Sequence, residues 1–409
     1  MTVIEEIVLE VSRTTSFAPD KINFVFCMLL CFPLGLVFRF LLHPHRVSTT
    51  ARRFVGFIWG LALSWFCFGW QVLILLGISG LCYNLICVLN PSLVHKYVLS
   101  VSMVLLAVSH LYRQITDYGG YTLDFTGPLM IFVQRISYVA FSVHDGSARD
   151  ESSLSHEQRK EKLRKVPSLL EYFSYLFHYS TILAGPLCTF KEFNDFIDGS
   201  DIKPKDPRNE EPSPRDDVIK KTLGAVLCLG IMVMSGSHFP IIRNGDPEFI
   251  NSHHLLWRYM YAYISILVIR MQYYFAYQLA EAVNNIAGFG FNGYDESGKA
   301  KWNLMTNVNI FKLEFATSMK EVLDNWNINT VLWLRSSMYC YGLFWCLIPF
   351  LFLNFGRKTK KEKNDEDVLK EKEKSKREKK AKAEDGDLME LVSKVKRKLA
   401  LLKENFMLR

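Results

Sequence analysis

A chain of 409 residues that is 49% hydrophobic and 14% aromatic gathers its apolar residues into long runs, which excludes a pair of ordinary soluble domains. The formal charge of +8 is too modest for a nucleic-acid binder of this length and fits contact with acidic headgroups or an anionic cofactor. Nine cysteines lie mostly inside the apolar runs; only Cys27 and Cys31 approach a metal spacing, so no disulfide framework and no metal site is expected.

The first 20 residues carry Glu5, Glu6 and Glu10 where a signal peptide would carry basic residues, so the first apolar run is expected to act as its own anchor. Apolar windows follow at 22–42, 54–68, 72–89, 94–112, 125–143, 172–187, 223–240, 255–280 and 331–355, which predicts roughly eight to ten spans. The charged stretch 145–167 mixes both signs at helical spacing and predicts a solvated helix. The insert 201–221 holds K-P-K-D-P-R-N-E-E-P-S-P-R-D-D, whose prolines predict an exposed linker. After Ala287 comes A-G-F-G-F-N-G-Y-D-E-S-G-K-A-K-W-N, then the amphipathic N-V-N-I-F-K-L-E-F-A-T-S-M-K-E-V-L-D-N-W-N. Polar backbone between spans must leave the membrane or line a buried cavity, so re-entrant or interfacial helices are expected there. Residues 356–409 form a Lys/Glu-rich tail ending, at 388–406, in a basic amphipathic helix suited to a cytosolic leaflet or to a partner. The fold class is therefore all-α, a polytopic transmembrane protein with a cytosolic tail.

Polar groups inside such runs are the candidates for function. They are Gln134 and Arg135, His144 and Asp145, His178, Arg270 and Gln272, and the cluster Asn325, Asn327 and Asn329. For any one of them an interhelical hydrogen bond or a snorkelling cation is the ordinary role. Together they predict a wet internal cavity, which favours an enzyme or a transporter over a passive anchor.

Five separated motifs, in order, carry a resemblance. P-L-M-I-F-V-Q-R-I with A-F-S-V-H-D-G, then I-L-A-G-P with F-K-E-F, then Y-Y-F-A-Y-Q-L-A-E-A-V-N-N-I-A-G-F-G-F-N-G, and finally L-D-N-W-N-I-N-T-V-L-W-L-R are similar to the membrane-bound O-acyltransferases. Within that family the chain most resembles the lysophospholipid acyltransferases acting on lysophosphatidylethanolamine and lysophosphatidylserine. The resemblance implies a multi-pass protein of the endoplasmic reticulum membrane that moves an acyl group from the co-substrate acyl-coenzyme A to a lysophospholipid hydroxyl, with no other cofactor. It also implies that Asn327, after Trp326, orients or polarises the acyl group. Gln134, His144, Asp145, Arg270, Gln272, Asn284, Asn285 and Trp326 are then the candidate substrate contacts.

A carboxamide has no useful basicity, so Asn327 cannot take the proton of an attacking hydroxyl; that task suits an imidazole. The family's base lies on a later helix, within a W-H-G pattern, whereas the last histidines here are His253 and His254. The residues after Arg335 resemble the family's final helix, which predicts an internal deletion near Arg335/Ser336. The resulting division is an N-terminal segment 1–20, an incomplete membrane domain 21–335, a terminal helix 336–355 and the tail 356–409. His178 is the best-placed substitute base. Alternatives to an impaired enzyme are a catalytically inactive lipid-binding or regulatory isoform, able to pair with another copy or a full-length one, and a transporter.

Overall fold

The computed structural model describes residues 3–15, 17–117, 122–200 and 211–338. The expected terminal helix beyond 338 and the amphipathic tail lie outside these. Fifteen α-helices run in chain order: α1 (Val3–Thr15), α2 (Pro19–Phe40), α3 (Thr49–Phe68), α4 (Val72–Val88), α5 (Val94–Thr116), α6 (Thr126–Ser147), α7 (His156–Glu161), α8 (Leu169–Leu176), α9 (Phe190–Asp198), α10 (Arg215–Gly236), α11 (Pro247–Ser252), α12 (Leu255–Ala287), α13 (Ile310–Glu314), α14 (Met319–Asn325) and α15 (Ile328–Met338), counted among the described residues. Only isolated bridges, Tyr294 with Ala300 and Val308 with Trp326, interrupt this all-helical content there.

Four of these segments are long and apolar enough to cross a membrane: α2, the α3–α4 pair, α5 and α10. Their outward residues, among them Leu29, Trp65, Leu73, Val104, Leu227 and Met234, are exposed as lipid-facing side chains would be. The 22-residue α6 and the 33-residue α12, about 50 Å long at 1.5 Å per residue, have the length but carry more polar groups. Helix α12 is the spine, packed along α10 on one side and α2 on another, while α6 packs on α5.

Four expectations change. The run 172–187 is not a span: α8 stops at Leu176 and the chain continues as turns to α9. Its apolar residues face protein instead, with Tyr172, Tyr175, Phe177, Tyr179 and Ile182 fully buried. The linker read as reaching residue 221 gives way to helix at Arg215, directly after Pro214, and α12 continues seven residues past the expected end at Ala280. The charged loop forms a shorter helix than its pattern predicts, α7, begun by a capping box between Ser155 and Gln158.

Arg135, completely buried on α6, makes the irregular stretch tolerable. Its guanidinium donates to the carbonyls of Tyr175 (2.9 Å) and Leu176 (3.1 Å), which the end of α8 would otherwise leave unpaired in an apolar core, and to that of Pro186 (3.2 Å) further along the irregular stretch. Arg52 on α3 does the same for Phe38, Leu42 and Phe196 and lies against the Phe38 and Phe196 rings. Helix α3 reaches this stretch through Gly60: a Cβ there would sit 1.6 Å from the Phe177 carbonyl oxygen.

Gly60→Ala should therefore force α3 away from the 177–179 backbone and cost more than about 4 kcal/mol, which detergent-solubilised thermal unfolding would register as loss of the folded species. A second expectation concerns the polar α7. Burial pushes the Glu161 carboxyl up to about 7, with the Thr189 hydroxyl opposing and Glu192 reinforcing the rise. Its folded value lies above its ordinary 4.5, so its contribution is complete below about pH 4.5 and is lost as pH climbs through about 7. Glu161→Gln should flatten the decline of melting temperature between pH 5 and 8 and be the more stable form at pH 8; an unchanged slope would contradict the assignment.

Candidate active site

The W-N dipeptide is gripped from two sides. On α12, Tyr273, Tyr274 and Tyr277 present their rings to Trp326 in edge contacts with centroids 5.8, 6.0 and 5.9 Å away. Positions 273 and 277 are one turn apart, so the Y-Y-F-A-Y spacing forms one aromatic face. Opposite lies the extended stretch Asn307–Val308–Asn309. Val308 bridges antiparallel to Trp326, the Asn309 amide donates to the Asn325 carbonyl (3.1 Å), and the Ile328 amide donates to the Asn307 carbonyl (3.0 Å).

Between these walls Asn327 takes φ +49°, the single non-glycine residue at positive φ among those described. Asparagine tolerates the left-handed region better than most residues, and α15 starts directly after it, the Asn327 carbonyl accepting from the Val331 amide (3.1 Å). The side-chain oxygen Oδ1 accepts twice, from the Tyr277 hydroxyl (2.6 Å) and from Asn307 Nδ2 (3.2 Å). Both bonds fix the amide's orientation and leave Nδ2 as a donor without a partner among the described residues. Asn307 is the keystone, because its own Oδ1 also receives the buried Asn329 amide (3.3 Å).

Polar contacts dock helix α15 on α6, among them Thr330 donating to Gln134 Oε1 (3.5 Å) and Trp333 Nε1 donating to Ser137 Oγ (2.7 Å). Gln134 thus lies against the helix that begins after Asn327, and Trp326 directly precedes Asn327. Arg270 lies on α12 beyond the tyrosines and donates to Glu314 (2.8 Å), which also takes the Tyr274 hydroxyl, so this pair seats α13.

The other sequence candidates fall elsewhere. Asn284 and Asn285 are buried and tie α12 to the Ser180 (3.1 Å) and Trp302 (3.2 Å) carbonyls. Gln272 is exposed. His144 is ten residues, about 15 Å, along α6 from Gln134. It donates to the Pro91 carbonyl (2.9 Å) and stacks on His95, while Asp145 pairs with Arg149 (3.2 Å). His178 is fully enclosed, with Nδ1 on Ser180 Oγ (3.0 Å) and the rings of Phe38, Tyr179, Phe193 and Phe196 around it. None of its contacts is Asn327, Tyr277 or Asn307, so the structure does not bring the substitute base to the amide. Asn325 caps its own helix through the Glu321 carbonyl (2.8 Å).

Sequence reasoning missed Tyr277, Asn307 and Ser137. For the first two a signal existed: the tyrosine spacing on α12 and the N-V-N alternation, which puts both asparagines on one side of an extended segment. Among the described residues no group of three or more metal-ligating side chains gathers.

Asn307→Ala should strip one bond from Asn327 and orphan the Asn329 amide, a loss of about 1–3 kcal/mol, whereas Tyr277→Phe, which removes one bond, should cost about 0.5–1.5 kcal/mol. Hydrogen exchange at residues 326–330 should accelerate in that order; equal protection in both variants would refute the keystone role.

Comparison with known proteins adds the lineage. The chain is 39% identical over 331 residues to lysophospholipid acyltransferase 6 of Drosophila melanogaster, covering 78% of this chain and 46% of that protein. It is 39% identical over 339 residues to membrane-bound glycerophospholipid O-acyltransferase 2 of Homo sapiens (80% and 65%), and 28% identical over 324 residues to a lysophospholipid acyltransferase of Schizosaccharomyces pombe (78% and 62%). The chain therefore spans between about half and two thirds of the length of these relatives. The sequence model of the membrane-bound O-acyltransferase family matches residues 48–342, a stretch that contains the Asn307–Asn327 clamp and every helix packed on it, and this chain belongs to that family.

Proposed function

We propose that this chain belongs to an acyl-coenzyme A:lysophospholipid O-acyltransferase system of the endoplasmic reticulum membrane, and that Asn327 is its oxyanion-type donor. The observation that carries the reading is the amide of Asn327: Oδ1 saturated by Tyr277 and Asn307, Nδ2 held in a fixed direction and free to donate. A donor prepared in this way stabilises charge as it develops on a thioester carbonyl without reorganising during the reaction. In the reaction the lipid hydroxyl oxygen bonds to the acyl carbon, the carbon–sulfur bond breaks, the sulfur leaves as coenzyme A thiol, and the hydroxyl proton passes to a base. Acyl-coenzyme A is the co-substrate and no other cofactor enters the reading.

The base is the part this chain lacks. His178 is sealed among aromatic rings and His144 is committed at the far end of α6, so neither is assigned the role. The matching proposed division is a scaffold through about residue 335 that holds the donor, followed by a segment resembling the family's last helix and tail. A second reading is supported by the same observation. With a positioned donor and no histidine in contact with it, the chain would bind acyl donor or lysolipid without turning them over, alone or paired with a longer copy.

Reconstitution with labelled oleoyl-coenzyme A and a panel of lysophospholipids separates the readings. The native chain should turn over about 10²- to 10⁴-fold more slowly than a version carrying the intervening segment of the human relative. In that restored version Asn327→Ala should lose a further ~10²- to 10³-fold. Inactivity of the restored version on every lysophospholipid would overturn the acyl-transfer reading.

A further inference from the structure

The reverse side of the stretch that clamps Asn327 is the wall of a cavity. Thr306 donates to Glu281 while its neighbour Asn307 donates to Asn327, and Glu281 stands one turn beyond Tyr277 on α12. Val308, which bridges to Trp326, is part of that same wall. The cavity, about 600 Å³, thus opens beside the W-N dipeptide, where the first turns of α10 meet the last turns of α12 and the polar 295–303 loop. That size is ordinary for a small-molecule site.

Its charges are unevenly spent. Glu281, 2% exposed at the floor, is neutralised by Lys221 (2.9 Å). Asp295 is consumed by its own turn, accepting from the Ser297 (2.9 Å) and Lys299 (2.8 Å) amides. Lys220, Lys299 and Lys301 line the cavity with no ion pair among the described residues, against Asp217 as the one uncommitted carboxylate. Trp302 adds an independent sign of a missing partner: it is 5% exposed, forms part of the wall, and its indole N–H has no acceptor among the described residues. Lys220 and Lys301, the Lys299 ammonium whose charge also acts on Asp295, and an orphan donor around one cavity favour an anion with several acceptor oxygens.

Building on the acyl-transfer reading, we propose that this cavity binds the phosphate-ester end of a substrate, with Lys299 and Lys301 as its principal cationic contacts and Asn327 reached through the shared wall. The shared chemistry is a phosphate ester of net negative charge. Either the phosphates of coenzyme A or the headgroup of an anionic lysophospholipid would satisfy it.

The test is equilibrium binding to the full chain in phosphatidylcholine nanodiscs, with free coenzyme A and with glycerophosphoserine as separate probes. At least one probe should bind, more weakly at 0.5 M salt, and the probe that binds names the source. For it, the double variant Lys299→Glu/Lys301→Glu should weaken binding about 10- to 100-fold. Lys299→Arg/Lys301→Arg, and Lys165→Glu on the remote charged loop, should stay within about twofold of the native chain. Binding of neither probe, or an equal loss in Lys165→Glu, would overturn the proposal. Lysine-dependent binding in a restored version that never turns over would sink the acyl-transfer reading alone, and lysine-independent binding in a version that does turn over would sink the cavity assignment alone.

Discussion

The structure depends on one arginine in an apolar core. Helix α8 ends at Leu176 inside the protein, and the turns that follow expose carbonyls that neither a helix nor water can satisfy. Each would cost several kcal/mol in an apolar surrounding, and Arg135 takes three of them with a fork of fixed geometry. A lysine could not reach three carbonyls in two directions from one position on α6. Because those carbonyls are held, the stretch 177–189 can remain irregular, and its aromatic side chains fill the space between α2, α3, α6 and α9. Arg135 is therefore a structural residue, although its intramembrane position first marks it as functional.

The same helix supplies the second half of the arrangement one residue earlier. Gln134 and Ser137 receive α15, so the element that begins at Asn327 is registered against α6, which the core arginine itself immobilises. Tyr277 of α12 and the Asn307 side chain then restrict the Asn327 side chain itself. Two rigid helices and an extended segment thus meet at one amide. That convergence explains why a residue with positive φ, a conformation costing of order 1–3 kcal/mol, persists at a helix start.

Hydropathy made the long helices legible because lipid-facing and core-facing side chains of α2 to α5 are both apolar. The same indifference misled it at 172–187, where composition cannot tell a side chain buried in protein from one facing lipid. Gly185 and Pro186, in a run otherwise fit to span, were the local warning. At the site, Asn327 was legible through its motif, not through any period. Its partners left only separate local hints, the tyrosine spacing and the N-V-N alternation; their pairing with Asn327 was hidden, because Tyr277 and Asn307 are 50 and 20 residues away and a hydrogen bond across such a distance leaves no local pattern. Asn284 and Asn285 share a motif with Tyr277, yet they are spent on backbone carbonyls. Membership of a motif therefore did not distinguish a site residue from a strut.

Every contact that orients Asn327 comes from residues between Gln134 and Trp333: the tyrosines, the N-V-N segment and the α6 docking points. Nothing in that set is a base, and nothing in it needs one in order to form. In the proposed role of Asn327 as donor, its orientation therefore owes nothing to a base. Electrostatic stabilisation and proton removal multiply in a complete enzyme, but only the second is required for the hydroxyl to attack. On the proposed reading, a scaffold that supplies the first alone would hold a thioester carbonyl without turning it over.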